Sequence, residues 1–79
     1  MCAEPALAAE EQPGDELARL AAELRANPTP RNYHRLARFA ERFAESELSA
    51  QANLALGLAD FEQRRWGDAR ARFVSARGS

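Results

Sequence analysis

The side chains that could carry out chemistry are few and far apart in the sequence. His34 is the only histidine and Cys2 is the only cysteine. Because a zinc site is built from several such ligands, we expect His34 to be a solvated or packed imidazole. The single cysteine excludes an intramolecular disulfide and a cysteine-based zinc site. The sequence therefore predicts neither a metal site nor a cofactor.

The carboxylates of the C-terminal half do not have the arrangement of a catalytic pair. Asp60, Glu62 and Asp68 lie close in sequence to Arg64 and Arg65. We interpret these carboxylates as parts of solvated helix faces or as partners of the two arginines. An active site needs acids, bases or nucleophiles gathered in a pocket. We therefore predict that this chain is not an enzyme and has no catalytic residue.

The composition favours helices. Ala, Arg, Leu and Glu fill most of the 79 residues, isoleucine is absent, and Val74 and Thr29 are the only β-branched residues. The abundant residues are good helix formers, whereas strands are enriched in β-branched residues. The length fits one small domain or a piece of a larger one. The predicted fold class is all-α.

The charges balance overall but are unevenly distributed. Lys and Arg total 11 against 12 for Asp and Glu, a formal net charge of -1. Residues 1–16 hold five acidic and no basic residues, whereas residues 64–79 hold five arginines and one aspartate. The overall charge balance argues against a nucleic-acid partner. We therefore interpret the C-terminal arginines as the exposed face of the last helix. No apolar run approaches the ~18 residues of a membrane span, and the first residues do not resemble a signal peptide.

Capping and helix-breaking residues divide the chain. Residues 1–14 contain two prolines, a glycine and three glutamates, and are predicted to be a disordered acidic tail. Residues 15–79 are predicted to form a helical module. Its helices are expected over residues 15–26, 30–45 and 47–64 and from residue 66 onward, joined by short connections into antiparallel hairpins. The expected N-caps are Asp15, Thr29 and Ser46, and Asn27-Pro28 ends the first helix.

Apolar residues recur at helical spacing within each predicted helix. The stripe of the first helix is Leu17, Leu20, Ala21 and Leu24. That of the second is Tyr33, Leu36, Ala37, Ala40, Phe43 and Ala44, widened by Phe39. That of the third is Leu48, Ala52, Ala55, Leu56, Ala59 and Phe61, and that of the fourth is Ala69, Phe73 and Ala76.

The stretch from residue 50 to residue 76 resembles a tetratricopeptide (TPR) repeat. The matching positions are Leu56, Gly57, Trp66, Ala69, Phe73 and Ala76, at the spacings of that family. Asn53 and Asp60 depart from the pattern, because they stand where the family has aromatic residues. The resemblance implies a right-handed solenoid of antiparallel hairpins. In it, Gly57 and Ala69 would form a tight contact, and a buried Trp66 and Phe73 would fill the wedge between hairpins.

The preceding residues are similar to a joint found in bacterial envelope TPR proteins, and residues 28–40 look most like soluble lytic transglycosylases. The resemblance implies a non-catalytic scaffold or interaction module at the N-terminus of a peptidoglycan-related envelope protein, whose enzyme domain lies outside these 79 residues. The alternative is a stand-alone TPR adaptor that binds a peptide or helix of a protein partner. Glu45-Ser46 matches the family's catalytic dipeptide, but we interpret it as a helix joint capped by Ser46.

Two further expectations concern the ends of the chain. Cys2, followed by a small residue and an acidic tail, is typical of the start of a bacterial lipoprotein, which implies a lipid anchor and a periplasmic or outer-membrane-associated location. The alternative is an ordinary tail cysteine. At the other end, no predicted helix follows to cover Phe73 and Val74. We therefore expect the module to be a fragment of a longer solenoid. The 79 residues by themselves are expected to form a marginally stable monomer or to self-associate through the third and fourth helices, including the exposed last helix.

Overall fold

The computed structural model describes residues 11–78, and in that part of the chain it has four helices and no strand. The helices are α1 (Pro13–Ala26), α2 (Pro30–Arg42), α3 (Glu47–Glu62) and α4 (Trp66–Gly78). The predicted all-α class is therefore confirmed. The solenoid arrangement stays a prediction.

Two of the three predicted N-caps are confirmed. The hydroxyl of Thr29 accepts a hydrogen bond from the backbone N–H of Asn32 at 3.1 Å, and that of Ser46 accepts one from Leu48 at 2.9 Å. The third prediction is wrong, because α1 begins at Pro13 and its N-cap is Gln12. Proline is well suited to the first helical position, so the helix extends beyond Asp15 into the predicted tail. Residues 1–10 of that tail lie outside the described residues.

The second and third helices end earlier than predicted, at Arg42 and Glu62. After α3, Arg64 adopts the left-handed conformation with φ of 63°. This residue turns the chain so that the N–H of Arg65 donates to the carbonyl oxygen of Asp60 at 2.8 Å. Helices often end with a left-handed residue, usually glycine. Here an arginine takes that conformation in the middle of the α3–α4 connection.

The main core lies between α1, α2 and α3. Its fully or nearly fully buried side chains are Leu17, Leu20, Leu24, Leu36, Phe39, Ala40, Ala52 and Leu56. Phe39, expected only to widen a stripe, is among the most deeply buried, whereas Ala44 and Phe61 are exposed. Both exposed residues are explained by their positions: Ala44 lies in the α2–α3 connection, and Phe61 lies on the outer side of α3.

The backbone of α4 packs against α3 and against no other described helix. The last helix is therefore attached to the outside of a three-helix core.

The left-handed Arg64 leads to a stability prediction. Arg64→Gly should raise the free energy of unfolding by up to about 1 kcal/mol. The left-handed conformation costs a residue with a side chain about 1–2 kcal/mol, which glycine avoids. Glycine loses more backbone entropy on folding, which offsets part of this gain. Gln63→Gly is the matched control: Gln63 has φ of -89°, so glycine there should destabilise. Urea unfolding monitored by circular dichroism gives both values. Equal stability of the two variants would contradict the prediction.

Candidate functional site

A buried carboxylate joins α3 to α2 and to the α3–α4 connection. Asp60 of α3 has no exposed surface, although the sequence favoured a solvated position. Its carboxylate accepts hydrogen bonds from the hydroxyl of Tyr33 at 2.8 Å and from Nε of Arg65 at 3.0 Å. The prediction of a solvated Asp60 is wrong because α2 and the α3–α4 connection cover it with these donors. The prediction of an arginine partner is confirmed for Arg65.

Arg72 extends this network from α4. Its Nε donates to the hydroxyl of Tyr33 at 3.2 Å, and its Nη1 donates to Oδ1 of the buried Asn53 at 2.9 Å. The guanidinium groups of Arg65 and Arg72 also lie 5.5 and 5.6 Å from the centre of the Tyr33 ring, within cation–π range. Every buried side-chain nitrogen and oxygen in the described part of the chain has a hydrogen-bond partner.

The network explains the two departures from the TPR pattern. Asn53 and Asp60 are seven residues apart and hence lie on the same side of α3. Where the repeat family places aromatic residues, this chain places a pair of polar side chains bridged by Arg72 and Tyr33. The two departures are thus one feature.

Gly57 permits the close approach of α4. A Cβ atom at this position would lie 2.5 Å from Cε1 and 2.7 Å from Cδ1 of Phe73, and 3.2 Å from Cβ of Arg72. The expectation that a small residue is required is supported, but the expected partner Ala69 is not the nearest neighbour. The ring of Phe73, one helical turn beyond the buried Ala69, fills the space over the glycine.

An apolar surface runs along the outer side of α3 and α4. Five large apolar side chains, each 49–55% exposed, form this apolar face: Leu54, Leu58, Phe61, Trp66 and Val74. The first three recur at the spacing of one helix face. The prediction of a buried Trp66 is wrong. Trp66 is the first residue of α4, and its ring meets the Phe61 ring edge-on, with 4.9 Å between ring centres, on the outer side of the hairpin.

A groove of about 480 Å³ lies within this face. We call it the α3–α4 groove, and it is lined by Phe61, Trp66, Ala69, Arg70, Phe73, Val74 and Arg77. Of the six residues that match the TPR pattern, three line this groove: Trp66, Ala69 and Phe73. A fourth, Gly57, lies in the contact behind it. Leu56 is fully buried, and Ala76 is half-buried on α4. The repeat pattern gives the spacing of the residues but does not say which neighbouring element packs over them. It therefore could not predict that the groove is exposed.

The remaining candidates from the sequence lie elsewhere. His34 is exposed, as expected for a solvated imidazole, and Glu45 and Ser46 lie in the α2–α3 connection. Within residues 11–78, no group of three His, Cys, Asp or Glu side chains is placed to hold a metal ion. None of the helices described has the length and apolar character needed to cross a bilayer. Cys2 lies outside the described residues.

Exposed ion pairs cover the side of the molecule formed by α1 and α2. Arg35 pairs with Glu23 at 3.0 Å, and Arg42 pairs with Glu16. Solvent-exposed pairs of this kind contribute about 0–1 kcal/mol each. We therefore assign this face no role beyond solubility and local support of the helix pair.

The Gly57 contact gives a prediction with an internal control. Gly57→Ala should lower the free energy of unfolding by about 1–3 kcal/mol, because the new methyl group overlaps the Phe73 ring and forces it to move. Gly67→Ala, at a site with no neighbouring atom within 4 Å, should be neutral or mildly stabilising. Chemical denaturation of both variants is the measurement. A Gly57→Ala protein as stable as the Gly67→Ala protein would contradict the proposed packing.

The network predicts a dependence on pH. Burial, reinforced by the hydrogen bond to Asp60, raises the pKa of Tyr33 above its ordinary value of 10.0. The folded state therefore holds the phenolic proton more tightly than the unfolded state. This stabilisation is fully present below pH 10.0 and is lost as the pH rises through the raised pKa of the folded protein.

Tyr33 is the only tyrosine, so its phenolate absorbance reports the titration directly. Tyr33→Phe should lower the free energy of unfolding by about 1–3 kcal/mol near neutral pH, because it removes a donor from the buried Asp60. The stability difference from the parent should shrink in alkaline solution. His34→Ala, an exposed neighbouring change, is the control. A native tyrosine that titrates at or below pH 10.0 would refute the assignment.

Comparison with known proteins gives no relative: no protein-family model, no curated protein and no solved structure matches the chain. The TPR resemblance therefore rests on the residues quoted above.

Proposed function

We propose that this chain is a non-catalytic, TPR-like interaction module that binds a helix of a protein partner on the outer face of α3 and α4. The observation that carries the proposal is the apolar face itself. Large exposed apolar patches are uncommon on soluble proteins and often mark a site of association. The five large side chains of this face are each about half exposed, and Phe61, Trp66 and Val74 among them line one groove.

The shape of the face supports a helical occupant. Leu54, Leu58 and Phe61 form a row along α3, and Trp66 and Val74 add apolar surface from the adjoining α4. Two helices packed side by side leave a groove between them that accepts the apolar stripe of a third helix. In such complexes the anchors of the ligand recur at spacings of three, four and seven residues.

The buried side of the hairpin fits a binding role. The Gly57–Phe73 contact and the polar network hold α4 against α3 from behind. This leaves the outer side of α4 in a defined position before any ligand binds, and a preorganised surface loses less entropy on association. A role in the bacterial envelope, as part of a transglycosylase-type protein, remains a prediction from the resemblance.

Trp66 provides the test, since it is the only tryptophan and lies in the groove. We expect a synthetic amphipathic helix with leucines at the anchor positions and glutamines elsewhere to bind and to shift Trp66 emission to shorter wavelength. Leu58→Glu should weaken this binding about tenfold or more, because it places a charge in the apolar contact. Ala22→Glu, which adds the same charge at an exposed position of α1, is the matched control.

Binding that is lost in Leu58→Glu and retained in Ala22→Glu would support the proposal. No change in Trp66 emission with any amphipathic helix, up to the solubility limit of the peptide, would overturn it. Equal weakening by the two substitutions would also count against it, since the effect would then come from net charge.

A further inference from the structure

The charges around the α3–α4 groove distinguish it from a purely apolar surface. Arg70 and Arg77 line it together with aromatic and aliphatic side chains, and no acidic residue is among its described lining residues. The two arginines are seven positions apart on α4, so they lie on the same side of the helix about 10 Å apart along its axis. The groove therefore combines an apolar floor with two positive charges separated by two helical turns.

Two neighbouring arginines, Arg65 and Arg72, already have partners. Arg65 and Arg72 are bound by Asp60, Tyr33 and Asn53, as described above. Within residues 11–78, neither Arg70 nor Arg77 has an ion-pair or side-chain hydrogen-bond partner in this structure. A partner that covers the groove would remove water from both guanidinium groups, which is costly unless it supplies acceptors.

We propose that the ligand of the groove is an acidic amphipathic helix, with carboxylates two turns apart beside its apolar stripe, which bind Arg70 and Arg77. This inference rests on the proposed function and specifies its partner. Carboxylates match guanidinium groups in charge and in planar, two-pronged hydrogen-bonding geometry. The apolar stripe would contact Phe61, Trp66 and Val74, while the acidic positions lie against the arginines.

The same charges disfavour a second copy of the chain as the occupant. In a two-fold dimer the same patch meets itself, so the groove arginines of one copy would lie near those of the other. With no acidic residue in the described lining, this pairing would bring like charges together at an interface from which water is excluded. Self-association through the last helix, which the sequence predicted, is thus an outcome that the experiment must distinguish.

The experiment compares three synthetic helices that share one leucine stripe and differ at the two flanking positions, which carry Glu, Gln or Lys. Titrations of the full chain are followed by Trp66 emission at low and high salt. We expect the Glu peptide to bind about tenfold more tightly than the Gln peptide and the Lys peptide to bind most weakly. High salt should reduce these differences, because it screens the charges.

Charge reversal makes the assignment specific. In the double variant Arg70→Glu, Arg77→Glu the order of the peptides should reverse, so that the Lys peptide binds best. Arg31→Glu, Arg38→Glu is the matched control, since it makes the same change in net charge at two exposed positions of α2 that are also seven apart. The control should keep the order of the parent protein.

Each other outcome is decisive. Equal binding of the three peptides would overturn the acidic-helix inference and leave the proposed function standing. Binding of none would overturn both. Sedimentation of the free chain as a dimer, dissociated by Leu58→Glu and with Trp66 shielded from iodide, would identify a second copy as the occupant and overturn the inference.

Discussion

The carboxylate of Asp60 lies in the interior without exposure to solvent, and the arrangement of three helices follows from satisfying it. A buried carboxylate without partners would be strongly destabilising. Here Tyr33 of α2 and Arg65 of the α3–α4 connection donate to it, and Arg72 of α4 joins Tyr33 to Asn53. The backbone of α4 packs only on α3, so among the described residues the side chains of this network provide the connection between α4 and α2.

The same interaction determines which surface of α3 and α4 is exposed. Because Arg72 points toward the network and Phe73 toward Gly57, the rotation of α4 about its axis is fixed. Trp66 then lies on the outer side, where its ring meets that of Phe61 on α3, and Val74 is exposed on the same helix. The buried polar pair and the exposed apolar row of α3 are therefore consequences of one packing arrangement. At these positions the usual distribution of polarity is reversed, because Asn53 and Asp60 are buried while Leu54, Leu58 and Phe61 of the same helix are exposed.

Local signals predicted the fold class, three of the four helix starts and the end of the first helix, whereas contacts between distant residues escaped prediction. Thr29, Ser46 and Asn27-Pro28 act within a few residues of themselves, so their effects can be read from the sequence. Asp60 and Tyr33 are 27 residues apart, and nothing local indicates that they bond. The available signal was that Asn53 and Asp60 share one helix face at positions where the repeat has aromatic residues. The predicted burial of Trp66 is wrong because the repeat pattern assumes a neighbouring element over it, whereas here the ring meets that of Phe61 and the residue stays 55% exposed.

The attachment of α4 to the outside of a three-helix core also has a dynamic consequence. Proteins unfold locally in cooperative units of different stability. An element outside the main core unfolds at a lower free energy than the whole molecule. Amide hydrogens of α4 should thus exchange with solvent through a local opening that leaves α1, α2 and α3 folded. A ligand that binds only the closed hairpin stabilises that state in proportion to its free concentration and affinity. The fraction of grooves that hold ligand and the fraction of molecules with α4 packed against α3 would then report the same equilibrium.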